Sequence, residues 1–219
     1  MNKPIPLPPL LILCAGSSTR MGQPKGLVKI FAETLLEYQI KNYTSVGLEK
    51  IIVVLGAHIN QYIAQLPWIG RAMKSWLNYE SNSVKVIENI HHELGQFSSL
   101  QAGLNEFLKL RENFIFILPI DVPLPDESVL YRILSVFNKD LWVTTPELFG
   151  RGGHPVLINR DFASHLVSLD PQHTDSRLDK QIELLDSSKK TRIGVTDPGI
   201  HLNINNEEHL QRFLDNLKS

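Results

Sequence analysis

Short, unbroken apolar runs alternate along this 219-residue chain with segments of helical periodicity. Residues 10–15, 51–55 and 114–118 carry no polar side chain. A strand that is apolar at every position is typical of a parallel sheet covered by helices on both faces. We predict weaker strands at 84–87, 141–145, 155–158 and 192–195, and helices at 34–46, 98–110, 127–137 and 206–217.

This alternation predicts a single α/β domain over residues 1–219, built on a mostly parallel, doubly wound, Rossmann-like sheet. No repeat, low-complexity tract or Gly/Ser linker divides the chain. Two stretches have weaker patterns. We interpret residues 60–82 as a helical connection and residues 170–188 as a flexible loop that leads into a short helix.

Composition excludes several functional classes. The 22 Lys and Arg residues against 23 Asp and Glu give a net charge of −1, which does not suit a nucleic-acid binder. The single cysteine, Cys14, rules out a disulfide framework and a cysteine-based zinc site. Prolines interrupt the first nine residues, so neither a signal peptide nor a membrane span is indicated there. We therefore expect a cytoplasmic protein with no membrane partner.

The loop after the first apolar run is the first candidate site, because ligands bind beyond the carboxyl ends of strands in open α/β sheets. Gly16 lets the backbone approach a ligand, and Ser17 and Ser18 leave N–H groups for phosphate oxygens. Arg20 and Lys25 add two cations suited to a triphosphate. An ordinary turn with two solvated cations would have the same composition. The loop matches neither the Walker nor the Rossmann phosphate motif.

Asp121 is the second candidate. It follows the apolar run 114–118 and lies between Pro119 and Pro123, so it should emerge from the sheet edge on a rigid turn. A carboxylate there is a suitable ligand for Mg²⁺. The alternative is a cap for the helix that starts after Pro125, a role that Asp126 would serve better.

Four segments, in order, resemble the motifs of nucleotidyltransferases of the molybdenum-cofactor type, which attach CMP or GMP to molybdopterin. They span nearly the whole chain. The segments are Leu13-Cys14-Ala15-Gly16-x-Ser18-x-Arg20-Met21-Gly22-x-x-Lys25-x-Leu27, Gly95-Gln96-Phe97-Ser98-Ser99-Leu100, Leu118-Pro119-Ile120-Asp121-Val122-Pro123 and Gly150-Arg151-Gly152-Gly153-His154-Pro155.

The resemblance implies a fold like that of the nucleotide-diphospho-sugar transferases and transfer of a nucleoside monophosphate, with Mg²⁺ as cofactor. It implies catalytic roles for Arg20, Lys25 and Asp121, with Asp121 also a metal ligand, and an acceptor contact for His154, which could instead only fill its turn. The nucleotide-binding residues that it implies are Ala15, Gly16, Ser17, Ser18, Gly22, Ser99 and Pro119. Ser99 could also be a simple helix cap.

The chain departs from the family near its end. The cytidylyl branch usually shows Asp-x-Asp there, whereas this chain has Asn203-Ile204-Asn205-Asn206. Asn205 could still offer an amide oxygen to the metal, or Asn205 or Asn206 could only cap the last helix.

Base and acceptor follow from the same resemblance. The side chain of Ala15 and the Gly153-His154-Pro155 segment favour CTP over GTP, and molybdopterin is the expected phosphorylated acceptor. Two alternatives remain: a non-catalytic nucleotide-binding module of the same fold, and a glycosyltransferase. The latter class commonly shows Asp-x-Asp beside the central strand, which Asp121-Val122-Pro123 lacks.

Overall fold

The computed structural model describes residues 7–16, 22–47 and 49–217. The strands are β1 (Leu10–Leu13), β2 (Lys29–Ile30), β3 (Glu33–Thr34), β4 (Lys50–Leu55), β5 (Leu77–Tyr79), β6 (Asn82–Glu88), β7 (Phe114–Pro119), β8 (Val143–Leu148), β9 (Arg151–Gly152), β10 (Val156–Asn159) and β11 (Lys190–Gly194). The helices are α1 (Leu35–Ser45), α2 (Ile59–Gln65), α3 (Trp68–Lys74), α4 (Gln96–Phe107), α5 (Glu127–Val136), α6 (Arg160–Ser168), α7 (Leu178–Leu184) and α8 (Glu207–Asn216).

The main sheet has the strand order β11-β8-β10-β7-β1-β4-β6-β5, with β9 paired to β8. β1 lies parallel between β4 and β7, so that Leu13 is in register with Val54 on one side and Pro119 on the other. β6 continues the parallel set beside β4. β10 runs antiparallel between β7 and β8. The carboxyl ends of β1, β4, β6 and β7 therefore meet at one edge of the sheet.

Helices cover the sheet on both faces, which explains the unbroken apolar runs. Leu10 and Ile12 of β1 belong to the core beneath α1, α2, α3, α5 and α8. Leu11 and Leu13 belong to the core beneath α4 and α6. Because successive strand residues point to opposite faces, every position of β1 is buried and must be apolar. The mostly parallel, doubly wound α/β architecture is thus confirmed.

The two stretches with weak patterns differ in outcome. Residues 60–82 are not one helical connection, because α2 and α3 are followed there by the edge strand β5, antiparallel to β6. β5 is only three residues long and half-exposed, so it leaves little apolar signal. The short helix expected within 170–188 is present as α7. None of the described helices is long and apolar enough to cross a membrane.

Helix α6 has no counterpart among the sequence predictions. Its buried side chains are Phe162, Ala163 and Leu166, and the side chain of Asn159 caps it by accepting a hydrogen bond from the N–H of Phe162 at 2.8 Å. Only four of its nine residues are apolar, and they give a weak periodic pattern, which explains the omission.

Candidate nucleotide and metal site

The loop after β1 and the turn after β7 lie side by side because these two strands are parallel neighbours. The backbone N–H of Ile120 donates to the carbonyl oxygen of Leu13 at 3.0 Å, which extends the pairing beyond the last residues of both strands. Asp121 therefore emerges next to the segment Cys14–Gly16. Two motifs more than a hundred positions apart in the chain form one surface.

A third segment joins them. The backbone N–H of Ile204 donates to the carbonyl oxygen of Asp121 at 2.8 Å, which brings residues 203–206 against the end of β7. The ammonium of Lys25 lies 2.7 Å from Oδ2 of Asp121 and 2.7 Å from Oδ1 of Asn205. The Lys25 and Asp121 side chains are only 18% and 20% exposed. A carboxylate and an amide oxygen thus converge on one partly buried cation.

The helix-cap alternatives are resolved by neighbouring residues. Asp126 caps α5, because its side chain accepts a hydrogen bond from the N–H of Ser128 at 2.8 Å. Asn206 caps α8 in the same way, through the N–H of His209. Asp121 and Asn205 are consequently the members of each pair that face Lys25.

These residues border a cavity of about 520 Å³. Its lining consists of Leu13, Cys14, Ala15, Gly16, Lys25, Ala57, His92, Gly95, Gln96, Ser99, Pro119, Ile120, Asp121 and Asn205. Of the expected nucleotide-binding residues, the structure brings Ala15, Gly16, Ser99 and Pro119 together here. Gly22 takes a positive φ of 65° but is not among the lining residues. Ser17, Ser18 and Arg20 lie outside the described residues.

The hydroxyl of Ser99 is hydrogen-bonded to Asn89, a buried residue that directly follows β6. The amide Nδ2 of Asn89 donates to Oγ of Ser99 and to Oγ of Ser98, both at 2.9 Å. Since Ser99 accepts this bond, its own hydroxyl proton can be directed elsewhere. Gly95, with φ of 89°, is the N-cap residue of α4, so Ser99 lies inside the helix and the simple-cap alternative is wrong.

His154 borders a second cavity of about 770 Å³, which shares Leu13, Gly95, Gln96 and Pro119 with the first. Burial lowers the pKa of His154 below its usual value, because the charged ring is poorly solvated. Its Nδ1 is buried and has no hydrogen-bond partner within the described part of the chain. The floor of this cavity is apolar, with Phe97 and Leu100 among its lining residues.

Two arginines lie at the same cavity, each paired with a carboxylate. Arg177 contacts Asp179, with 2.7 Å between Nη2 and Oδ2, and Arg192 contacts Glu147, with 3.2 Å between Nη1 and Oε2. Both ion pairs are largely exposed, so a ligand could rearrange them at little energetic cost.

Two lining residues lie outside the motifs found in the sequence: Ala57 and His92. Ala57 follows β4 and His92 follows β6, so both lie past carboxyl ends of parallel strands. That general rule was the available signal. The sequence contains His91 and His92 as a surface pair with no assigned role, and both side chains are indeed exposed.

The oxygen atoms at Lys25 also fit a divalent cation. Over the described residues, no three His, Cys, Asp or Glu side chains form a metal-binding group. Asp121 and Asn205 nevertheless direct two oxygens at one cationic position. A cation of the Mg²⁺ type is commonly held by one or two protein oxygens together with water and substrate phosphates, so this donor set suits it.

Relatives of known structure share this fold. A nucleotidyl transferase from Methanothermobacter thermautotrophicus superposes with a TM-score of 0.71 at 20% identity, over 96% of this chain and 97% of that one. The protein Rv0371c of Mycobacterium tuberculosis, solved in complex with manganese, gives a TM-score of 0.64 at 20% identity, over 95% and 98% of the two chains.

Sequence comparison gives a more specific relationship. A Bacillus cereus (strain Q1) protein, described as a probable molybdenum cofactor guanylyltransferase, is 28% identical over 143 residues, or 64% of this chain. The match spans 62% of the length of that relative. The family model for the MobA-like NTP transferase domain matches residues 10–187, which include β1, the Lys25 loop, Asp121 and His154. This chain therefore belongs to the MobA-like NTP transferase family.

Proposed function

We propose that this protein transfers a nucleoside monophosphate from a nucleoside triphosphate to a phosphorylated small molecule and releases pyrophosphate. The observation that carries the proposal is the convergence of Asp121 and Asn205 on the Lys25 ammonium, at 2.7 Å each, beside a cavity of about 520 Å³. A cation and two oxygen ligands in the lining of a cavity of this size suit a triphosphate and its metal.

The reaction makes modest demands on the protein. An oxygen of the acceptor phosphate attacks the α-phosphorus of the nucleotide, the bond to the bridging oxygen breaks, and its electron pair leaves with pyrophosphate. The acceptor phosphate is already ionised, so no general base is needed. The protein contributes orientation of the two reactants and stabilisation of developing negative charge.

Lys25 would supply that stabilisation on the triphosphate and on the departing pyrophosphate, together with Arg20. Asp121 and Asn205 would hold a divalent cation, for which we propose Mg²⁺. When bound, such a cation neutralises phosphate charge. The manganese complex of the Mycobacterium tuberculosis relative supports this choice of metal class. Gly16 and Ser99 would line the nucleotide, as would Ala15 and Pro119.

We propose CTP as the preferred nucleotide, with GTP as the competitor. Ala15 lines the first cavity, and its methyl group takes space there that a glycine would leave open. A smaller cavity favours a pyrimidine base over a purine base. GTP is the competitor because the Bacillus cereus relative is described as a probable guanylyltransferase. Ala15→Gly tests the point: we expect the ratio of kcat/KM for CTP to that for GTP to fall, and an unchanged ratio would contradict it.

The second cavity is our proposed acceptor site, with molybdopterin as the leading acceptor. Its apolar floor suits a flat heterocycle, and Arg177 and Arg192 at its edge could contact phosphate. His154, whose buried Nδ1 has no hydrogen-bond partner in the described structure, would contact the heterocycle. The shared residues Gly95 and Pro119 join this cavity to the nucleotide site, as a transfer reaction requires.

The decisive experiment measures pyrophosphate release with four nucleoside triphosphates and a panel of phosphorylated acceptors. In the productive pair, Asp121→Asn should lower kcat by a factor of about 10² or more, because it removes the charged metal ligand. Asp126→Asn is the matched control, since asparagine preserves the α5 cap five residues away. Nucleotide binding without turnover for every acceptor would instead favour a non-catalytic nucleotide-binding module.

A further inference from the structure

The peptide that joins Lys25 to Gly26 lies against two buried side chains of the core, the Tyr62 phenol and the Cys14 thiol. The backbone N–H of Gly26 donates to Oη of Tyr62 at 3.1 Å, and the same Oη lies 3.0 Å from Sγ of Cys14. Tyr62 belongs to α2 and is 2% exposed, and Cys14 is 4% exposed. A buried three-group contact thus links the loop of Lys25, the end of β1 and helix α2.

Gly26 fits this contact because it has no side chain. A Cβ there would lie 2.6 Å from Sγ of Cys14 and 2.7 Å from Oη of Tyr62, closer than real Cβ contacts. The peptide therefore lies directly against the thiol and the phenol. A side chain at this position would force the thiol, the phenol or the peptide to move.

The Tyr62 hydroxyl accepts a hydrogen bond from the N–H of Gly26, which has no acceptor within the turn itself. In the short 3₁₀ turn Lys25–Leu27, the N–H of Leu27 donates to Pro24 and that of Val28 donates to Lys25, while the N–H of Gly26 points to Tyr62. A buried N–H without an acceptor destabilises its conformation, so the Tyr62 hydroxyl favours this one placement of the turn. Burial raises the pKa of Tyr62 well above its usual value, so the phenol stays neutral and can accept this bond.

We propose that Tyr62 is a positioning residue for Lys25: its hydroxyl, paired with Cys14, fixes the Gly26 peptide and thereby keeps the lysine beside the proposed phosphate and metal position. Only the consequence for nucleotide binding rests on the proposed function. The anchoring of the turn itself stands on the contacts alone.

Tyr62→Phe tests the proposal, because it removes the hydroxyl and keeps the buried ring. The matched control is Tyr43→Phe, since Tyr43 is also fully buried and its hydroxyl has no hydrogen-bond partner among the described residues. We expect amide hydrogen exchange at Gly26 to accelerate about tenfold in Tyr62→Phe, the factor that corresponds to losing one ordinary hydrogen bond. Tyr43→Phe should leave it unchanged.

The functional readout is a split between two KM values. In Tyr62→Phe, KM for the nucleotide should rise about tenfold while KM for the acceptor stays constant, because only Lys25 is displaced. A merely structural role would lower the melting temperature and leave both KM values unchanged in the folded enzyme. That result, or unchanged exchange at Gly26, overturns the proposal.

Two further measurements keep the test independent of folding and of turnover. If Tyr62→Phe does not fold, Cys14→Ala provides a second variant, because it removes the thiol that contacts the phenol. We then expect amide exchange at Gly26 and KM for the nucleotide each to rise about threefold, and no change in either would contradict the proposal. If no acceptor supports turnover, the proposed reaction is contradicted. The affinity for the nucleotide, measured by titration calorimetry, then takes the place of its KM as the readout for Tyr62. Faster Gly26 exchange with unchanged nucleotide affinity then overturns the positioning role alone.

Discussion

The ammonium of Lys25 lies 2.7 Å from Oδ2 of Asp121, so a residue of the loop after β1 and a residue at the end of β7 form one ion pair. Asn205 contacts the same ammonium, from a segment 180 residues away in the chain. The oxygens that would hold a divalent cation thus contact the ammonium of a lysine. A cation bound there would compete with this ammonium, which would turn towards the adjacent phosphates while the backbone of its loop stays in place.

Lys25→Met should therefore change metal and nucleotide binding in opposite directions. Without the ammonium, Asp121 and Asn205 can accept a divalent cation with no competing charge, and we expect Mn²⁺ alone to bind about tenfold more tightly. The triphosphate loses its cationic partner and should bind at least tenfold more weakly. Titration calorimetry measures both constants. Lys29→Met, an exposed lysine on β2, is the control. Unchanged Mn²⁺ affinity would show that Lys25 does not compete for the metal position.

Asn205→Asp should strengthen metal binding. A second carboxylate attracts a divalent cation more than it attracts the single charge of Lys25, so we expect Mn²⁺ affinity to rise about tenfold. Asn206→Asp is a matched control, because it adds the same charge next door and aspartate also caps α8. Equal gains in the two variants would mean that net charge, rather than ligation by residue 205, is responsible. Mn²⁺ titration followed by electron paramagnetic resonance gives both affinities.

The parallel core and the position of Asp121 could be predicted from the sequence because both depend on local patterns. An apolar run that ends in Pro119-Ile120-Asp121 predicts a buried strand and a carboxylate at its exit, and β7 has that form. The parallel register with β1 then brings Asp121 to the glycine loop. The fold class and the principal carboxylate are therefore predictable from the sequence.

Tyr62 could not be found in this way, and for Asn205 the sequence left a metal ligand and a helix cap as alternatives. Tyr62 is the single aromatic residue of the short helix α2, and nothing in the neighbouring sequence indicates that its hydroxyl reaches Gly26. The choice between Asn205 and Asn206 depends on the bond from Ile204 to Asp121, which is a tertiary contact. β5 was missed for the related reason that edge strands are shaped by their partner, not by their own pattern.

Cys14 should resist alkylation in the folded protein. Burial raises its pKa to about 12, so at pH 8 only about one thiol in ten thousand is ionised, and the thiolate is the reactive form. We expect iodoacetamide at pH 8 to leave the native chain unmodified in intact-mass spectrometry and to modify it fully in guanidinium chloride. Because Cys14 is the only cysteine, the whole signal reports on this site. Native modification at the rate of a free thiol would contradict its buried contact with Tyr62.

Two glycine-to-alanine substitutions in helices should have opposite effects on stability. Gly103 lies in α4 where the helix meets β1 and β4, and an added Cβ would lie 2.3 Å from Cδ1 of Leu11 and 2.9 Å from Cγ2 of Val54. Both neighbours are fully buried, so they cannot move aside without disturbing the core. Overpacking of this kind lowers the free energy of unfolding by about 1–3 kcal/mol, which exceeds the gain of up to about 1 kcal/mol from better helix propensity.

Gly70 in α3 provides the matched case, because nothing lies within 4 Å of an added Cβ. Gly70→Ala should therefore raise the free energy of unfolding by about 0.5–1 kcal/mol through helix propensity alone. Urea denaturation measures both variants, and a change in midpoint at constant m value isolates the effect on stability. If Gly103→Ala raised the free energy of unfolding as much as Gly70→Ala, α4 could not pack as closely on Leu11 and Val54 as the structure shows.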